Sequence, residues 1–156
     1  MTKKIIIVTL AMVSFLGGGL FLAGCDDVST SPGVNSSAKV ADKEKAAIAA
    51  AEQWLAFLDA GQYAKTHDEA ASYFRGAVPK DQWTQQIQGV RDPLGPLKSR
   101  KVKNTTYATS LPGAPDGEYV VIIFEASFDN KASALETVTP MLDRDGQWRV
   151  SGYYIK

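Results

Sequence analysis

Cysteine and histidine are almost absent from this chain: its 156 residues include one of each. A single cysteine excludes an intramolecular disulfide framework and any cysteine-cluster zinc site, and a single histidine excludes a multi-histidine metal centre. A surplus of charge is missing too. Lys+Arg and Asp+Glu both number 17, so the formal net charge is zero, which gives no general attraction to nucleic acid. Neither a G-x-G-x-x-G, a P-loop, a G-x-S-x-G nor an H-E-x-x-H occurs, so the usual phosphate cradles, nucleophile elbows and zinc helices are not encoded. The expectation is therefore no metal and no cofactor. The remaining composition is ordinary, 45% hydrophobic and 10% aromatic, which supports one globular core rather than wholesale disorder.

The amino-terminal stretch is unlike the rest. Met1-Thr2-Lys3-Lys4 is a short basic start, and Ile5 to Leu22 then runs without a charge. That is the layout of a secretory signal peptide. Gly17, Gly18 and Gly19 argue against a spanning helix, since each costs about 1 kcal/mol of helix stability. The run ends in Leu22-Ala23-Gly24-Cys25, which resembles the lipobox of bacterial lipoproteins. The resemblance implies that the Cys25 thiol receives a diacylglycerol, that residues 1–24 are cleaved away, and that the new amino terminus is acylated. Two or more chains, at about 0.8 kcal/mol per buried CH₂, anchor a protein stably, so membrane lipid is the expected partner through Cys25. Asp26 after the cysteine resembles the inner-membrane retention signal of enteric-type lipoproteins. The expected place is the cell envelope, facing the periplasm, with the inner membrane favoured. Loss of Lys3 and Lys4 leaves a mature charge of −2, a further point against nucleic acid. Residues 25–41 are rich in Ser, Pro, Gly and Asn and are expected to form a flexible linker.

Residues 42–156 are expected to form one α+β domain, because helical patterns come first and strand patterns follow. Asp42 is a candidate N-cap. Ala47, Ala51, Trp54, Leu55 and Leu58 recur at spacings of three and four, one apolar stripe ended by Gly61. A second helix is expected over 62–75. A third, opened near Pro79, carries Trp83, Ile87 and Val90 on its buried side. Asp92-Pro93-Leu94-Gly95-Pro96 breaks the chain. Four strands follow: 97–110, 118–128, 134–142 and 147–155. Val120 to Phe124 reads as buried on both faces, and Pro140 marks a break or an edge. Strict alternation in the last strand puts Trp148, Val150, Gly152 and Tyr154 on one face, and Arg149, Ser151 and Tyr153 on the other. The expected architecture is three helices packed on a four-stranded antiparallel sheet.

Several phrases carry a family resemblance: AEQWLAFLDAGQYAKTHDEAASYFR at 51–75, DQW at 81–83, LGPLKSRKV at 94–102, LPGAPDGEYVVIIFEASFDNKASALETVTPMLD at 111–143 and DGQWRVSGYYI at 145–155. Together they resemble the domain of unknown function 4019 family, small bacterial proteins often secreted or lipidated. The layout is also similar to the nuclear-transport-factor-2-like cone, in which helices close over a curved sheet and leave a pocket. Pro79 departs from the Ser- or Thr-type cap expected before the DQW helix. The family brings no established activity, so no catalytic residue is carried over.

Candidate chemistry is sparse. His67 is the one ordinary candidate for a general base near neutral pH. Tyr63 and Ala71, four residues to either side, offer no carboxylate or second ligand. A catalytic His67 would need an acidic partner from the sheet, and Glu125 is the candidate. Trp54, Tyr63, Trp83, Tyr107 and Tyr153 either pack the core or line a pocket for a small apolar ligand. Tyr153 and Tyr154, as strand neighbours, cannot share a face. Lys98, Arg100, Lys101 and Lys103 form the one basic cluster, with Arg100 on the face opposite Lys101 and Lys103. The leading expectation is a non-catalytic binding or protein-interaction module, with an envelope protein or a small apolar ligand as partner. The alternative is a small pocket enzyme using His67 with a carboxylate. A closed interior favours the first and an open cavity the second.

Overall fold

The computed structural model describes residues 33–156, with side chains from Ser36. The expected signal peptide, Cys25 and Asp26 lie outside the described residues. The described residues form four helices, a short 3-10 turn and one sheet, arranged as α1 (Gly33–Asp59), α2 (Tyr63–Asp68), α3 (Ser72–Ala77), α4 (Lys80–Arg91), the turn Asp92–Leu94, β1 (Leu97–Ala108), β2 (Tyr119–Phe128), β3 (Lys131–Leu142) and β4 (Trp148–Ile155). The strands pair antiparallel in the order β1-β2-β3-β4. The fold class is α+β, helices on an antiparallel meander.

The stripe on α1 is the spine of the core. Ala47, Ala51, Trp54, Leu55 and Leu58 are buried against Val120, Ile122, Phe124, Val138 and Val150 of the sheet. The two alanines bring the helix axis close to the strands, and the larger side chains fill the space beyond. Gly61 stops α1 at φ +69°, a conformation that costs other residues a Cβ clash. At its other end α1 starts earlier than expected, at Gly33 rather than near Asp42. No proline follows Pro32 before the helix, and Ser36 to Asp42 add turns that are mostly exposed.

The second expected helix divides into α2 and α3. The break has a tertiary cause. The Ala71 N–H, which a continuous helix would bond to a carbonyl one turn back, donates instead to Val150 O of β4 at 2.8 Å. The chain then restarts at Ser72, whose N–H and hydroxyl both donate to Asp143 of the β3–β4 turn, at 2.8 and 2.6 Å. A carboxylate from 71 residues away thus does the work of a local N-cap. Pro79 occupies the N-cap position of α4 with extended backbone and no side-chain cap. Gly95, at φ +72°, turns the chain into β1. A Cβ there would sit 3.2 Å from Asp129 Cβ, so the position requires glycine both for its backbone and for its neighbour.

Strand alternation holds in β2 and is interrupted elsewhere. Val120, Ile122, Phe124, Ala126 and Phe128 are buried, whereas Val121, Ile123, Glu125 and Ser127 are half-buried. The expectation of a strand buried on both faces is corrected: helices cover one face only. In β4 the expected grouping also fails. A register shift between Thr139 and Pro140 pairs Gly152 with Thr139 and Val150 with Pro140, leaving Ser151 as the extra residue. One extra residue reverses the side-chain phase. Trp148, Val150 and Tyr153 therefore pack together on the core, while Tyr154 is 37% exposed. Pro140 lies in an interior strand at the bulge, where its missing N–H is tolerated.

Candidate functional site

Trp54 and Trp83 meet beneath the helices with ring centroids 6.2 Å apart. Tyr153 lies 5.6 Å from Trp54, and Phe74 stands edge-on to Trp83 at 5.0 Å. Both indole N–H groups end on Thr66 of α2, which is fully buried. Trp54 donates to its carbonyl at 2.7 Å and Trp83 to its hydroxyl at 2.8 Å. The hydroxyl proton goes to Tyr63 O at 2.6 Å, so every polar atom in this aromatic layer has a partner. The space lined by Trp54, Phe74, Trp83 and Tyr153 leaves no room for a water molecule. Among the described residues, this space between the helices and β4 is filled.

Of the five aromatics expected at a pocket, three converge here. Tyr63 packs on the edge of the core and donates to Asp92 at 2.6 Å. Partial burial, then that hydrogen bond, push its hydroxyl up to about 12. Tyr107 lies on β1, where its hydroxyl donates to Glu118 at 3.1 Å and Lys43 approaches the same carboxylate.

His67 and Glu125 are not brought together. His67 is buried in α2, and its Nε2 lies 2.8 Å from Val78 O. A carbonyl oxygen only accepts, so Nε2 carries a proton and donates it. Among the described residues Nδ1 has no hydrogen-bond partner, and Asp68 Oδ1 is 4.0 Å away. Asp68 itself is held by Lys80 at 2.7 Å. Glu125 points to the uncovered face of the sheet, between Lys101 at 2.8 Å and Lys103 at 3.0 Å. Those two lysines, Lys101 foremost, hold its carboxyl below the usual range. Among the described residues no group of three or more His, Cys, Asp or Glu could hold a metal ion, and no helix is long and apolar enough to cross a membrane.

A partly buried ionic cluster joins helices to sheet beside the aromatic layer. Asp59, at the end of α1, accepts from Arg91 Nη2 at 2.7 Å and from Arg100 Nη1 at 2.6 Å. Arg100 also clamps Glu136 of β3, with Nε to Oε2 at 2.6 Å and Nη2 to Oε1 at 3.1 Å. The Tyr153 hydroxyl donates to the same Oε1 at 2.6 Å. Glu136 is fully buried. The guanidinium of Arg91 lies 4.4 Å from the Phe128 ring centroid, and its Nε and Nη1 have no hydrogen-bond partner among the described residues. Burial pulls the Arg100 guanidinium down, but its bonds to Asp59 and Glu136 outweigh that and raise it. Burial, reinforced by the Glu136 charge, lifts the Tyr153 hydroxyl well above its ordinary value. Two arginines and two carboxylates balance, so the cluster is neutral as a unit. It acts as a strut fixing α1, α4, β1, β3 and β4 in one geometry.

These members did not stand out as a set in the sequence. A partial signal existed. Arg100 falls on the strand face opposite Lys101 and Lys103, and Glu136 sits between Ala134 and Val138 in an inward row.

A protein-family model described as "Protein of unknown function (DUF4019)" matches residues 50–153. The chain belongs to the DUF4019 family. No curated protein and no solved structure matches it. In this DUF4019 domain the matched span takes in the last third of α1 with Trp54, all of α2, α3 and α4, the whole ionic cluster and nearly all of the sheet.

One consequence of the Asp143 contact is testable by pH. Its carboxyl is lowered to about 2, chiefly by the Ser72 hydroxyl and further by the backbone N–H groups of Ser72 and Arg144. A carboxyl depressed on folding stabilises the fold above its unfolded value near 4 and loses that contribution as pH falls towards 2. In an Asp143→Asn variant, unfolding followed by circular dichroism should show a smaller loss of stability between pH 5 and pH 2 than in the parent. An unchanged acid slope would count against this role.

Proposed function

We propose that this chain is a lipid-anchored lipoprotein of the bacterial cell envelope, whose folded domain is a non-catalytic binding module working through its surface. The observation that carries the reading is the filled interior: Trp54, Phe74, Trp83 and Tyr153 occupy the space where a buried ligand would sit. With that space taken, recognition falls to exposed faces. The state of His67 supports the same reading. Its Nε2 is committed to a backbone carbonyl, and the carboxylate chosen for it from the sequence lies on another face. The anchor rests on Leu22-Ala23-Gly24-Cys25 and on the basic and apolar segments before it. Two or more acyl chains would keep the domain at its membrane, with the periplasm as the compartment and Asp26 favouring the inner membrane.

The experiment is complementation of a deletion strain. Any envelope defect that follows loss of the chain should be restored by a His67→Gln version at matched abundance. It should not be restored by Cys25→Ser, which leaves the domain unanchored. Failure of His67→Gln, with folding intact by circular dichroism, would instead favour the pocket-enzyme alternative.

A further inference from the structure

Helix α1 fixes the end of the domain at which its tether arrives. Lys43 Nζ lies 2.5 Å from Glu118 Oε2, and Tyr107 donates to the same carboxylate. Tyr107 and Glu118 flank the β1–β2 loop. At its other end α1 stops at Asp59, which accepts from Arg100 near the start of β1. So α1 runs against β1, and it begins at the β1–β2 loop. Residues 36–42 precede Lys43 and are exposed apart from a half-buried Val40. From Gly33 to Lys43 the helix rises about 15 Å. Cys25 stands eight positions before Gly33, a length of chain that spans at most about 30 Å. An acyl group on Cys25 therefore holds the β1–β2 end close to its bilayer. Asp59 and the β2–β3 end, where Lys98 meets Asp129, lie about 40 Å of helix beyond Gly33.

The surface at the near end suits contact with lipid headgroups. Thr109 to Pro115 carries no charge. The segment is held from beneath. The Gly117 N–H donates to Thr109 O at 3.1 Å and the Ala114 N–H to Leu111 O at 3.2 Å. Leu111 and Ala114 pack on Ala71, Tyr119 and Met141, and the Tyr119 hydroxyl donates to Pro115 O at 2.6 Å. Pro112, Gly113 and Pro115 are left exposed at the tip. Tyr73 of α3 stands beside them, 40% exposed, with its hydroxyl donating to Gly113 O at 3.1 Å. A phenol has an apolar body and a polar tip, the combination that settles at the boundary between headgroups and water. A tip already held in one shape loses little entropy on contact, and it brings no charge to desolvate.

We infer that the tip of the β1–β2 loop, Pro112, Gly113 and Pro115 together with Tyr73, rests in the headgroup layer of the bilayer that carries the Cys25 acyl chains. The inference rests on the lipid-anchored reading above. A short tether gives the tip a high effective concentration at the surface, so a contact too weak to hold a free domain is enough to orient an anchored one. The β2–β3 end then faces away from the bilayer. Lys98, Lys101 and Lys103 are offered to the periplasm rather than to lipid.

The test uses the full mature chain, purified from membranes in mild detergent and reconstituted into vesicles of phosphatidylethanolamine and phosphatidylglycerol. With Cys25 acylated, an introduced cysteine is the one free thiol. A fluorophore is attached at Ser110→Cys or at Lys98→Cys, both exposed positions. Lipids spin-labelled at the headgroup should quench most of the emission from Ser110→Cys and leave that from Lys98→Cys nearly unchanged. The quenching should survive high salt, since no charge carries the contact. Adding Tyr73→Asp to Ser110→Cys should restore most of the emission, while the chain still floats with the vesicles and keeps its near-ultraviolet circular dichroism. Should Tyr73→Asp misfold, Pro112→Asp gives the same readout. Equal quenching at the two positions, or none at Ser110→Cys in a chain that floats with the vesicles, would overturn the inference and leave the anchor standing. A chain that does not float would overturn the anchor itself, and the inference with it.

Discussion

Glu136→Ala should lower the stability of the domain by about 3–5 kcal/mol, the usual cost of removing one partner from a buried ion pair. Glu136 is fully buried and takes three hydrogen bonds, two from Arg100 and one from Tyr153. Without it, the Arg100 guanidinium keeps one carboxylate, Asp59, which Arg91 already shares. A positive charge is then left under-compensated beside a phenol whose proton has no acceptor. For a domain of this size the loss corresponds to a fall in melting temperature of about 10–25 °C. Thermal unfolding followed by circular dichroism measures it. Tyr153→Phe alone should cost less, about 1–3 kcal/mol. Combined with Glu136→Ala it should add little, because both changes remove the same bond. A Glu136→Ala domain as stable as the parent would show that the cluster is no strut.

Trp54→Ala should cost a similar amount, about 3–5 kcal/mol, for a different reason. Trp54 is 3% exposed and touches both Trp83 and Tyr153. Truncation removes a large apolar area and leaves a void that the surrounding rings can only partly close. It also takes the donor from Thr66 O. Trp54→Phe should recover much of the loss. Trp148→Ala, at the half-exposed margin of the core, should be milder than Trp54→Ala. The void offers a second readout. A small aromatic such as benzene should raise the melting temperature of Trp54→Ala and leave the parent unchanged, since a dry apolar cavity takes such a guest. Equal stabilisation of the parent would mean that its interior already has room.

The α+β order, the four strands and the α1 stripe were legible because each rests on a local period of apolar residues. The Gly61 stop and the Asp92–Pro96 break were legible because glycine and proline act on their own backbone. What the sequence concealed depends on distant groups. The division between α2 and α3 is made by Val150 and Asp143, neither of which lies near it along the chain. The phase of β4 is set by an unpaired Ser151, and alternation read without that bulge assigns Tyr153 to the wrong side. The ionic cluster gathers residues spread from 59 to 136, and only Arg100 had been set apart from its neighbours by strand parity. The aromatic set reads as core or pocket from the sequence; hydrogen bonds to Thr66 decide for core at Trp54 and Trp83, and contacts with Trp54 and Glu136 do so at Tyr153.

The central claim is that a filled domain works from a membrane to which Cys25 ties it. Mass spectrometry of the amino-terminal peptide from the purified membrane-bound chain tests it most directly. The account predicts a peptide beginning at Cys25 and carrying a diacylglycerol with an added amide-linked acyl chain. A peptide that begins at Met1, or one with an unmodified Cys25 thiol, would contradict it.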